Sequence, residues 1–112
     1  MLINEEKWLQ GNEEALLLIL KKNPVVTYEM TKEMLGLSPS QTRKIVHSLR
    51  MQGEPICSSN NWKGYKLERD KEEIRRTISH MRARAMSELQ VARAMEQNLD
   101  DVFLNQIEGV GL

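Results

Sequence analysis

The sequence of 112 residues predicts a mainly α-helical fold with a small β-hairpin and a long C-terminal helix. Apolar residues recur every three or four positions in four segments, which is the spacing of a helix with one buried face. A residue that can cap a helix precedes each segment, namely Asn12, Thr27, Ser38 and Asp70. Between the last two helices, a stretch rich in Asn and Gly separates two short β-type segments, which is typical of a hairpin.

The first two helices are expected to be short and joined by an extended segment at residues 25–26. The first begins after Asn12 and ends before Pro24, which cannot continue a helix. The second spans residues 28–35 and is followed by Gly36, where a residue with positive φ is usually needed. The residues expected on their inner faces are Leu16, Leu17 and Leu20 in the first, and Met30 and Met34 in the second.

The third helix has the strongest start signal in the chain. Ser38 is a good N-cap, and Pro39 stands at the first helical position, where its missing N–H costs nothing. Gln41, three residues after the cap, completes a capping box. The helix is expected to end near Gln52, before Gly53, with an inner face formed by Thr42, Ile45, Val46 and Leu49.

The hairpin is predicted from strands at residues 54–59 and 65–68 and a loop between them. Ile56 and Leu67 are expected to point into the core, with Tyr65 packed beneath the hairpin. Cys57 is interpreted as a small strand residue, because it has no nearby constellation of His and acid residues for nucleophilic chemistry.

The last predicted helix follows the cap Asp70 and runs to about Asn98. Its apolar stripe either folds back on the preceding domain or pairs with the same helix of a second copy. Pairing is favoured, since a small domain cannot cover a stripe this long. The tail at residues 100–112, with Phe103, Leu104 and Ile107, is a candidate extension of that interface. The residues predicted to form the dimer contact are Ile74, Ile78, Met81, Ala85, Leu89, Ala92, Met95 and Leu99.

The order of these elements is that of a winged helix-turn-helix, in which two helices joined by a glycine turn precede a hairpin. The segments 35–38, 42–44, 49–53, 55–56 and 64–67 read Leu-Gly-Leu-Ser, Thr-Arg-Lys, Leu-Arg-Met-Gln-Gly, Pro-Ile and Gly-Tyr-Lys-Leu. These segments resemble the DNA-binding domain of the biotin-operon repressor and its relatives. They also resemble small winged-helix proteins of Gram-positive phages and prophages. The resemblance implies binding to double-stranded DNA, although a fold alone does not fix a function.

In such a domain the third helix enters the major groove and the wing lies along the backbone or the minor groove. Arg43 is a candidate to bind guanine, and Gln41 to bind adenine when it is not capping the helix. Lys44, Arg50 and the helix dipole at Ser38 are candidates to hold phosphates. The predicted DNA-contacting residues are Ser40, Gln41, Arg43, Lys44, His47 and Arg50 on the helix, and Asn60, Asn61, Trp62 and Lys63 on the wing.

Simpler interpretations of the same residues remain open at this point. The basic side chains of the third helix would also suit an ordinary solvated face, and His47 an ordinary surface position. Trp62 would equally cover the core or a protein partner. Arginines of the last helix, such as Arg75 and Arg93, would flank a dimer contact, hold phosphates or only face solvent.

Charge distribution says more than the net charge, which is zero. Residues 38–69 contain six Lys or Arg and two acids, whereas no basic residue follows Arg93. One cysteine allows no internal disulfide and fits a reducing compartment, and neither a signal peptide nor a membrane span is indicated. No cofactor, small-molecule ligand or catalytic group is predicted. No metal site is predicted either, because the two His and one Cys lack zinc-ligand spacing.

The sequence therefore predicts an arm at residues 1–11, a winged helix-turn-helix at 12–69, a long helix at 70–99 and a tail at 100–112. The expected function is that of a cytoplasmic, sequence-specific DNA-binding protein, a phage-type transcription regulator acting as a homodimer. The alternative is a winged-helix protein-interaction module, such as a phage-encoded inhibitor or an accessory protein of replication or packaging.

Overall fold

A computed structural model describes residues 4–59, 63–99, 101 and 103. The elements follow in the order α1 (Glu5–Lys22), β1 (Val26–Thr27), α2 (Tyr28–Leu35), α3 (Pro39–Met51), β2 (Ile56–Ser59), β3 (Gly64–Leu67) and α4 (Lys71–Gln97). This confirms the predicted fold class of a mainly helical chain with a small β-hairpin and a long last helix. The chain divides into two compact units, Met1–Ile74 and Arg75–Leu112.

Helix α1 begins eight residues earlier than the sequence predicted, so the assignment of its cap to Asn12 was wrong. Asn4 is the cap, and its side chain accepts a hydrogen bond from the backbone N–H of Glu6 at 2.8 Å. Gly11 and Asn12 are weak helix formers, but Trp8 and Leu9 pack against the core and hold the additional turns in place. Asn12 instead lies inside the helix, where its amide donates to the carbonyl of Trp8.

The core of the first unit lies between helices α1 to α3 and the sheet. Helix α1 contributes Leu16 and Leu20 as predicted, with Leu17 partly buried beside them. All four residues predicted on the inner face of α3 are buried. The full set of buried apolar residues packed together is Leu16, Leu20, Val26, Leu37, Ile45, Val46, Leu49, Ile56 and Tyr65.

Helix α2 begins at its predicted cap, Thr27, and ends at Gly36, which has φ 68° as expected. Its inner face differs from the prediction, because Met30 is partly buried but Met34 is 57% exposed. The buried position is taken by Thr31, whose hydroxyl lies 2.9 Å from that of Thr42 on α3. This fully buried pair of hydroxyls satisfies both groups and fixes how the two helices pack.

The sheet has three antiparallel strands in the order β1-β3-β2, one more than the predicted hairpin. In the hairpin, Ile56 pairs with Leu67 and Ser59 with Gly64. On the other side of β3, Val26 pairs with Tyr65 and Thr27 with Gly64. Strand β1 therefore attaches the hairpin directly to the segment that leads into α2.

Helix α4 has its predicted start, since the side chain of Asp70 accepts a hydrogen bond from the N–H of Glu72 at 3.2 Å. None of its residues is buried. Of the predicted tail, only Asp101 and Phe103 belong to the described residues, and Leu104 and Ile107 lie outside them. Within the part of the chain that the structure describes, no helix has both the length and the apolar character needed to cross a membrane.

Candidate nucleic-acid interface

Helix α3 presents one polar face and buries the opposite one. Ser40, Arg43, Lys44 and His47 are all exposed, and their spacing of three, four and seven residues places them along one side of the helix. The structure therefore brings four of the predicted contact residues together on a single surface, called the outer face here. Met51 continues this face by one turn and is 76% exposed.

The N-terminal end of α3 is capped as the sequence predicted. Ser38 Oγ accepts a hydrogen bond from the N–H of Gln41 at 3.1 Å, and Gln41 Oε1 accepts one from the N–H of Ser38 at 2.9 Å. Adenine recognition needs the oxygen and the nitrogen of this amide together, so Gln41 would have to leave the cap to read a base. No acid stands in the first turn of α3 to offset the positive end of the helix dipole.

Lys44 has an acidic partner on α1 that the sequence analysis did not find. Its Nζ lies 2.7 Å from Glu5 Oε1, and the two side chains are 54% and 79% exposed. The hydrogen bond from Lys44, aided by its charge, holds the pKa of Glu5 below its ordinary value. Since α1 was expected to begin after residue 12, nothing in the sequence placed Glu5 next to the third helix.

Arg50 does not point outward, and its predicted position on the outer face was wrong. It is half-buried, its Nε donates to the carbonyl of Ile56 at 2.7 Å, and its guanidinium carbon lies 5.7 Å from the ring centroid of Tyr65. Its Nη2 is buried, with no hydrogen-bond partner among the described atoms. The side chain reaches back to the sheet because the carbonyl of β2 and an aromatic face lie within its range. Arg50 thus fastens the wing to α3.

The two tyrosines of the chain connect this arginine to Arg43. The hydroxyls of Tyr28 and Tyr65 are 2.8 Å apart, and the rings meet edge to face with centroids 5.6 Å apart. Arg43 lies over Tyr28, with its guanidinium carbon 5.9 Å from the ring centroid. Burial first, and then the hydrogen bond with Tyr28, raise the pKa of Tyr65 above its ordinary value. We call Arg43, Tyr28, Tyr65 and Arg50 the arginine–tyrosine row.

This row positions Arg43, the candidate to bind guanine. The sequence identified only part of the row. Tyr65 was expected in the core, where it is found at 6% exposure. Tyr28 was treated only as the first residue of α2. A usable signal was that the chain has just two tyrosines, each close to a segment that borders α3.

The wing is anchored on the side that the structure describes. Lys63 is exposed, adopts a left-handed φ of 51°, and its carbonyl accepts a hydrogen bond from the N–H of Tyr28 at 3.3 Å. The next residue, Gly64, lies so close to β1 that an added Cβ would be 2.2 Å from the carbonyl oxygen of Val26. The other predicted wing contacts, Asn60, Asn61 and Trp62, lie outside the described residues.

The predicted dimer contact forms an exposed apolar stripe along α4. Ile74 is half-buried, and the seven residues from Ile78 to Leu99 assigned to the stripe are exposed.

Comparisons with protein-family models, with curated proteins and with solved structures found no match to this chain.

Proposed function

We propose that the protein binds double-stranded DNA sequence-specifically through α3 and the wing, and acts as a dimeric transcription regulator. The observation that carries this proposal is the outer face of α3. Arg43, Lys44 and His47 stand there together, while the opposite side of the same helix is fully buried. A helix that is fixed by its inner face and offers basic and hydrogen-bonding groups outward is suited to the major groove.

The groups on this face divide by what they would contact. The guanidinium of Arg43 lies over the ring of Tyr28, and its edge would face guanine, where two parallel hydrogen bonds give selectivity. Lys44 and the uncompensated N-terminus of α3 would hold phosphates, as would Lys63 on the wing. His47 and Ser40 would complete the contact with hydrogen bonds.

The regulatory role is supported by the resemblance to the biotin-operon repressor domain and to small phage and prophage winged-helix proteins. A cytoplasmic regulator of this type would act by occupying its site. The exposed stripe of α4 supports the dimer, which would double the contacts and set the spacing of two half-sites.

The test is binding of the full chain to mixed-sequence duplex DNA, followed by fluorescence anisotropy at several salt concentrations. We expect affinity to fall steeply with salt. Replacing Arg43 and Lys44 together by Gln should weaken binding and lower selectivity among duplexes. It should reduce the slope of log K against log salt by about 0.9, since each phosphate contact contributes about 0.9 and Arg43 is assigned to a base. Contact of Arg43 with a phosphate instead would raise this change toward about 1.8 and leave selectivity unchanged.

A matched control removes two positive charges elsewhere. Lys21→Gln with Lys22→Gln changes the net charge equally, but both residues stand in the last turn of α1. This variant should bind almost as the parent does. Equal weakening by the two double variants would mean that DNA binding is only a general charge attraction. If the folded protein does not bind DNA at low salt, the proposal is refuted.

A protein-interaction module is the second candidate, and Met51 is the observation that favours it. This flexible apolar side chain stands on the outer face beside the basic groups and is 76% exposed. Methionine is frequent on adaptable protein-binding surfaces. If Met51→Lys leaves DNA binding intact or strengthens it, the outer face serves DNA. If the outer face serves a protein partner instead, the parent protein should not bind DNA either.

A further inference from the structure

The apolar face of α4 is uncovered over most of the helix. Ile78 is 41% exposed, Met81 38%, Leu89 43% and Leu99 65%. An exposed apolar surface of this length is a place where another molecule binds. We propose that its occupant is α4 of a second copy, and that the two helices run antiparallel. This proposal rests on the dimer suggested above and adds its orientation and register.

The charges on α4 favour the antiparallel orientation. Its two halves carry opposite net charge. Residues 71–84 contain five basic residues and two acids, whereas residues 85–97 contain two acids and one arginine. A parallel pair would set the basic half against the basic half, and like charges at close range repel. An antiparallel pair sets each basic half beside an acidic half. The charged residues involved are Lys71, Glu72, Glu73, Arg75, Arg76, Arg82 and Arg84 in the first half, and Glu88, Arg93 and Glu96 in the second.

The spacing of the stripe supplies the register. Ile78, Ala85, Ala92 and Leu99 follow one another at intervals of seven residues, and this spacing keeps them on one seam of paired helices. Pairing about the midpoint of this series sets Ala85 opposite Ala92 and Ile78 opposite Leu99. The small alanines near the centre let the backbones approach, and the large residues close the two ends.

The same register creates a specific ion pair. Arg82 and Glu96 each follow a seam residue by four positions, Ile78 and Ala92 respectively, so they flank the seam on the same side. In the antiparallel register, Arg82 of one copy lies beside Glu96 of the other, and the two-fold symmetry repeats the contact. Within one helix these residues are 14 positions apart, or about 21 Å at 1.5 Å per residue, and cannot pair.

Disulfide cross-linking of the full chain in a Cys57→Ala background tests the orientation. One chain carries Ala85→Cys and a second, of different mass through a tag, carries Ala92→Cys. We expect the mixed dimer to cross-link on oxidation and neither variant to cross-link alone. In the antiparallel pair two copies of position 85 lie about 10 Å apart along the axis, whereas a disulfide needs Cα atoms within about 7 Å. Self-linking of each variant without the mixed product would establish a parallel pair and overturn the proposal.

Charge reversal followed by sedimentation analysis tests the register. Arg82→Glu should raise the dimer Kd roughly ten-fold, because two contacts are lost per dimer. Adding Glu96→Arg should restore it, which a parallel pair does not allow. A monomer at all concentrations, or no restoration by the double variant, would overturn the proposal. Since the substitutions at Arg43 and Lys44 test DNA binding separately, failure of the helix pair and failure of DNA binding can be told apart.

Discussion

Gly64 is the position in the first unit where one added methyl group should destabilise the fold most. Its Cα lies against β1, so a Cβ would be 2.2 Å from the carbonyl oxygen of Val26 and 2.7 Å from Cα of Thr27. Ordinary van der Waals contact begins at 3.4 Å, and both of the atoms met belong to the backbone. Gly64→Ala must therefore push β1 and β3 apart by about an ångström.

The cost follows from the contacts that this shift would break. Forcing a methyl group into a packed site costs about 1–3 kcal/mol. The hydrogen bond from the N–H of Tyr28 to the carbonyl of Lys63, already 3.3 Å long, would be lost at about 1 kcal/mol. Alanine returns about 0.4–1 kcal/mol by restricting the unfolded chain. The expected loss in the free energy of unfolding is about 1–3.6 kcal/mol.

Urea unfolding followed by far-UV circular dichroism measures this loss as a lower midpoint at an unchanged m-value. All proteins must be compared at one concentration, because a dimer is stabilised by mass action. Gly11→Ala is the matched control. It makes the same substitution inside α1, where an added Cβ meets no described atom within 4 Å, and it should stabilise by about 0.5–1 kcal/mol. If Gly64→Ala cost less than about 1 kcal/mol, the close approach of β1 would not be a constraint on this fold.

Three further predictions concern single side chains. Hydrogen bonds from the N–H of Asp70 and from Lys66 hold the pKa of Glu68 below its ordinary 4.5. The stabilisation that Glu68 gives the fold is therefore complete above that pH and is lost as the pH falls through 4.5 and below. Glu68→Gln should remove this dependence, so that the urea midpoint changes less between pH 7 and pH 3. Glu5→Gln should release Lys44 and tighten DNA binding roughly three-fold, more than Glu6→Gln does in the same turn; equal effects would mean that the ion pair does not restrain Lys44. Tyr65→Phe should cost about 1 kcal/mol in urea unfolding through the lost hydroxyl contact, and an unchanged midpoint would contradict that pairing.

The parts of the fold that the sequence predicted are those determined by local chemistry. The beginning of α3 follows from Ser38, Pro39 and Gln41, because a cap, a fixed φ and a reciprocal hydrogen bond all involve neighbours within three residues. The end of α2 follows from Gly36, since few other residues accept a positive φ at low cost. These features needed no knowledge of the rest of the chain.

The errors arose where distant packing outweighed local preference. Asn12 suggested a helix start, but the burial of Trp8 and Leu9 against the core offsets the poor helix propensity of Gly11 and Asn12. Strand β1 has two residues, too few for any alternation to be seen. Arg50 was placed outward by helical spacing alone. Its true direction depends on the carbonyl of Ile56, which belongs to a different element.

These contacts also change what the local positive charge means for DNA binding. Of the six basic residues between positions 38 and 69, Lys44 and Lys66 each face a carboxylate, and Arg50 is bound to a backbone carbonyl. Since Arg43 is assigned to a base, Lys63 and Arg69 remain for phosphates without breaking a contact, and Lys44 becomes available when it leaves Glu5. Three phosphate contacts per copy give a salt slope of about −2.7 for one copy and about −5.4 for two. So few phosphate contacts imply that a monomer binds DNA weakly at physiological salt. The proposed pairing of α4 would therefore be required for occupancy of a site, and a variant such as Arg82→Glu should weaken DNA binding as it weakens the dimer.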